Sequence, residues 1–121
     1  MSHVVTIKPM LYDPSAIRAA CARLGLEPPQ HGEGKIFTNR RTGQIVKLPG
    51  WKYPLVCDTR TGEVHYDNYK GRWREQKQLD RFLQAYSVEK AKIEARKQGH
   101  SVAEQSLKDG SVKLTIQVRG G

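Results

Sequence analysis

Cysteine is scarce in this chain. There are only two, Cys21 and Cys57, and they form no CxxC pair. That leaves out the paired thiolate ligands of structural zinc sites and gives no disulfide framework. Both suit small buried apolar positions, and the pattern fits a reducing compartment, so a cytoplasmic location is expected. Long apolar runs are missing too. None approaches the roughly 20 residues of a membrane helix. The leading MSHVVTIKP lacks a basic segment followed by an apolar core, so neither a signal peptide nor a membrane span is expected. Acidic residues are absent from Gly34 to Cys57, while Lys35, Arg40, Arg41, Lys47 and Lys52 lie inside that stretch.

The usual marks of an enzyme are also lacking. Neither GxxxxGK followed by Ser or Thr nor GxGxxG occurs, so no phosphate-cradling loop is indicated. HGEGK at His31–Lys35 has glycines and a lysine but no strand predicted before it, and reads as a flexible loop. The histidines His3, His31, His65 and His100 stand singly, without metal-ligand spacing. Neither cysteine has a local activating partner, which a thiolate nucleophile needs. Glu104 is a lone carboxylate, and acid–base work needs a positioned partner. The expectation is a non-enzymatic protein with no metal or cofactor.

What the sequence does contain is charge and pattern. Its 121 residues fit one domain, with 119–121 as a flexible tail, and carry a net charge of +9. A surface of that sign attracts polyanions, although a solubilising surface has the same composition. A strand is predicted over His3–Leu11. Asp13-Pro14-Ser15 then opens a helix, with a capping side chain and a proline at the first helical position. Ile17, Cys21 and Leu24 form its apolar stripe, and Gly25 its stop. Glu27–Gly34, with two prolines and two glycines, reads as a loop.

The middle repeats itself. FTNRRTGQIV at Phe37–Val46 resembles VCDTRTGEVH at Val56–His65. The pattern predicts two hairpins with similar turns, begun by Asn39 or Asp58 and closed by Gly43 or Gly62. Arg41 and Arg60 would then occupy equivalent loop tips, with Leu48–Pro54 joining the hairpins. YDNYKGRWR at Tyr66–Arg74 reads as a loop entering a long helix over about Glu75–Gln98, with Ser87-Val88 as a weak point. Lys108–Ser111 is a strong turn signal. After it, Val112, Leu114, Ile116 and Val118 alternate with Lys113, Thr115 and Gln117, which predicts one buried and one wet face.

Strand, helix, hairpins, helix, hairpin is an α+β order. It predicts an antiparallel sheet with two helices on one face, specifically a ferredoxin-like βαββαβ core with extra hairpins. Arg40, Arg41 and Arg60, with Tyr69, Lys70, Arg72, Trp73 and Arg74, combine cations with stackable rings. That mixture suits RNA or single-stranded DNA, although Trp73 or Tyr66 serves equally well as an anchor on the core. The final Arg119-Gly120-Gly121 resembles the tail of ubiquitin-like modifiers. A frayed terminus is the plainer reading, since two helices and extra hairpins do not match a β-grasp.

Several stretches together resemble one family, the conserved hypothetical reading frame thirty-five of plastids and cyanobacteria, a domain of unknown function also found across bacteria. They are MSH with Ile7-Lys8, Leu24-Gly25, YPLVCD at Tyr53–Asp58, RFLQAY at Arg81–Tyr86, QGHSVAEQ at Gln98–Gln105, and the closing DGSVKLTIQV. The family has no established reaction, so the resemblance assigns no site. It implies a small cytosolic or stromal protein. Because some bacterial members are encoded near AAA-type ATPases, it also implies an accessory subunit as an alternative function. The chain departs from the family pattern in the basic duplicated middle and in the Arg-Gly-Gly tail.

Overall fold

The computed structural model describes residues 4–36, 39–67 and 73–118. The elements are β1 (Val4–Ile7), α1 (Pro14–Arg23), β2 (Gln30–Ile36), β3 (Asn39–Val46), β4 (Leu55–Asp58), β5 (Glu63–Asp67), α2 (Trp73–Lys97), β6 (Ser101–Ser106) and β7 (Val112–Gln117). Strands β1 to β5 form one antiparallel sheet in the order β1-β5-β4-β3-β2, and among the described residues β6 and β7 pair only with each other. No described helix is long and apolar enough to cross a membrane.

Local chemistry explains the helix limits. The Asp13 carboxylate accepts the Ser15 backbone N–H at 2.9 Å, satisfying a donor that the first turn leaves free. Gly25 takes the left-handed conformation, φ 69°, that ends α1. Helix α2 runs unbroken through Ser87-Val88, where a bend is expected from the sequence, because Val88 is buried rather than exposed at a break. The two helices are joined at the start of α1. Tyr86 Oη accepts the Asp13 N–H at 3.1 Å, and Lys90 Nζ reaches the Asp13 carboxylate at 3.0 Å.

Ile17 and Cys21 of α1 and Leu79, Phe82 and Tyr86 of α2 pack with Val46, Leu55, Cys57, Val64 and Tyr66 of the sheet. This is the α+β arrangement expected, with the helices against one sheet face. The strand order differs from a ferredoxin-like one, whose last strand returns to the sheet beside β1. Here the chain after α2 folds into its own hairpin.

The opposite sheet face has a cover of its own. Strand β4 pairs only with Gln44–Val46 of β3, whereas β2 and β3 pair from Gln30–Ile45 to Ile36–Asn39. The far part of β2–β3 is therefore a ribbon extending beyond the sheet. It bends back: a Cβ at Gly34 would lie 2.7 Å from the side chains of both Ile45 and Val56. Val56 is fully buried, although it alternates with Leu55 and Cys57, which face the helices. The bend passes through Gly43, where a Cβ would strike the Cys57 carbonyl oxygen.

This corrects two expectations. Gln30–Ile36 is a strand, not the loop predicted over Glu27–Gly34 and HGEGK. The first copy of the repeat is no hairpin turn, since Asn39, Arg41 and Gly43 all lie within β3. The second copy behaves as predicted, with Gly62 at φ 76° and its N–H donating to the Asp58 carbonyl at 2.8 Å.

Candidate nucleic-acid interface

The β4–β5 turn presents Arg60. Asp58 sets that turn by accepting the Arg60 N–H at 3.0 Å. The guanidinium approaches the same carboxylate at only 3.4 Å, and the Arg60 side chain is 86% exposed. An ion pair so open to water holds the arginine weakly, which leaves it available to another anion.

Arg41 stands on a second element, β3. It is exposed and pairs with Gly34 on the folded-back ribbon. Beneath lies His65, beside Val56 in the ladder and across from Thr6. Thr6 Oγ1 and His65 Nδ1 are 2.8 Å apart. The imidazole pKa is lowered, first by burial and then by the charge of Arg41. The charge of Arg41 thus reaches the outer face of β5 at His65.

A ring lies beside the β4–β5 turn. The segment after β1 lies across the β4–β5 turn, with the Met10 and Leu11 N–H groups both donating to the Gly62 carbonyl at 3.1 and 3.2 Å. Tyr12 packs its ring over Gly62, where a Cβ would come within 2.8 Å of it. Tyr12 remains 44% exposed and Met10 60% exposed. Met10 adopts φ 65°, a left-handed conformation uncommon for a residue with a side chain. Nothing local in the sequence marks Tyr12 or His65, because only the approach of residues 10–12 to the β4–β5 turn and the β1–β5–β4 register place them there.

The site residues expected from the sequence divide. Arg60 is presented by the β4–β5 turn, whereas Arg41 lies in β3, where its charge acts on His65. Arg40 lies opposite Lys35 in the β2–β3 ladder. Tyr69, Lys70 and Arg72 fall outside the described residues, as does the 119–121 tail. Trp73 and Arg74 begin α2. That helix follows Asp67, at the end of β5 away from Arg60, roughly 13 Å along the strand at 3.3 Å per residue.

Burial raises the Cys21 thiol to about 11 and the Cys57 thiol also upward, opposite to the shift a reactive thiolate needs. Among the described residues, no group of three His, Cys, Asp or Glu side chains could hold a metal ion. Compared with family models, curated proteins and solved structures, the chain matches none.

Proposed function

We propose that this is a non-enzymatic binding protein for single-stranded nucleic acid, RNA or single-stranded DNA, acting in the cytoplasm. The observation that carries the reading is the exposed Arg60 of the β4–β5 turn beside the exposed Tyr12 ring, which packs on Gly62 of the same turn; the exposed Arg41 of β3 is read as a further cation for the same strand. Cations there would follow the phosphate backbone and the ring would stack a base. The net charge of +9 supplies the long-range attraction. Membership in the reading-frame-thirty-five family is part of the proposal, and adds no reaction to it.

Fluorescence anisotropy with a labelled single-stranded RNA tests it. Binding should weaken linearly on a log–log plot against salt. The double variant Arg41→Ala/Arg60→Ala should bind more weakly and with a shallower salt slope. Tyr12→Ala should lose about 1–3 kcal/mol, the contribution of one stacked base, with the slope unchanged. No binding at low salt would overturn the function, and unchanged binding in the double variant would overturn the site. The accessory-subunit alternative draws support from a different surface, the exposed Leu107, Ile116 and Val118. It predicts a stable protein partner, such as an AAA-type ATPase, and little affinity for nucleic acid.

A further inference from the structure

The β6–β7 hairpin carries a surface that the rest of the chain leaves unfinished. Its apolar residues alternate as a buried strand would, yet Ile116 is 45% and Val118 68% exposed. Strand β6 is held to the helices by ion pairs, and β7 also touches α2. Glu104 bonds the Arg23 guanidinium at 2.8 and 2.6 Å and Lys92 at 3.3 Å. Among the described residues, strand β7 has no second ladder partner. Leu107 donates its N–H to the Ser111 carbonyl at 2.9 Å to close the loop. Counting back from that pair, the ladder bonds to β6 fall on Lys113, Thr115 and Gln117. The backbone groups of Val112, Leu114 and Ile116 therefore point toward the open edge. That edge has no proline or bulge, which are the usual guards against pairing, and a two-stranded hairpin alone is marginal in water.

We infer that β7 pairs antiparallel with β7 of a second copy of this chain, about a two-fold axis at Thr115, making a four-stranded sheet across a homodimer. The sequence of the strand is self-complementary in that register. Leu114 meets Ile116 and Val112 meets Val118, so every apolar residue faces another. On the other side Thr115 meets Thr115, and Lys113 meets Gln117 rather than a second lysine, so no like charges are opposed. The two copies use the same patch on each subunit, as a two-fold interface requires.

The register makes the proposal testable by cross-linking. Thr115 and its copy form a non-hydrogen-bonded pair with Cα atoms about 4.5 Å apart, inside disulfide range. The Thr115→Cys variant should form a covalent dimer under mild oxidation. Lys113→Cys alone should not, since its copy lies roughly 13 Å away along the strand, whereas Lys113→Cys mixed with Gln117→Cys should. The native Cys21 and Cys57 are buried and do not compete. Sedimentation of the wild type should show a dimer in the micromolar range. Ile116→Lys should shift it to monomer with an unchanged circular dichroism spectrum. A wild type that stays monomeric, or a dimer that Thr115→Cys fails to capture, would overturn the proposal. Neither result bears on nucleic-acid binding, which uses another surface.

Discussion

Glycines do most to shape the sheet at the residue scale, and they do so by what they lack. Gly34 lies on Ile45 and Val56, and Gly43 against the Cys57 carbonyl. Each lets backbone approach where a methyl group cannot. Gly34→Ala should destabilise by about 1–3 kcal/mol through overpacking, read as a lower midpoint in urea unfolding. Gly32→Ala is the control. A Cβ there meets nothing within 4 Å, so its midpoint should stay within about 0.5 kcal/mol of the wild type. Equal losses in the two variants would mean that the ribbon does not fold onto the outer face. The sequence shows these glycines but not their purpose, because a loop and a tightly bent strand both favour glycine.

Element by element, the hairpin after α2 is tied down by charge rather than by a shared core. No residue beyond Ile93 belongs to the main apolar cluster. Hydrogen bonding to Arg23, partly opposed by burial, brings the Glu104 carboxyl from 4.5 to about 2. A carboxyl lowered on folding stabilises the folded state above its unfolded value and loses that contribution as pH falls through the folded one. Glu104→Gln should therefore lower the melting temperature near neutral pH, for a loss of about 1 kcal/mol. The gap from the wild type should shrink as pH drops from 4.5 toward 2. A gap independent of pH would show that the ion pairs do not hold the hairpin. The duplicated segment teaches a related lesson about elements. Asp58 and Gly62 make a turn, whereas the similar Asn39 and Gly43 continue a strand, because the first copy has β2 available to pair along its whole length.

Across the whole molecule, one apolar cluster joins both helices to the sheet, with Phe82 fully buried near its middle. Phe82→Ala should lose about 3–5 kcal/mol. Because α1, α2 and the sheet share that cluster, their loss should register together, with tyrosine fluorescence and far-ultraviolet circular dichroism giving coincident transitions. Separate transitions would mean that the helices and sheet do not unfold as one unit. The charge of +9 acts at this scale as well. A charge of that sign attracts anions from a distance, and under the proposed function the exposed Arg41 and Arg60 would hold them.

The sequence by itself determined the α+β class, both helices, the Asp13 cap and Gly25 stop of α1, the Asp58–Gly62 turn and the Asp109-Gly110 turn. These are encoded over a few residues, by a capping carboxylate at Asp13, a left-handed glycine at Gly25 or Gly110, or an apolar stripe at helical spacing. Only the tertiary structure decided the strand order, the folding of the β2–β3 ribbon onto the sheet, the packing of Tyr12 on Gly62, and the placing of Thr6 and the Arg41 charge at His65. The physical reason is distance along the chain. Each of those depends on ladder register or on a close backbone approach between segments far apart in sequence, and no local propensity specifies which distant strand a given strand will pair with.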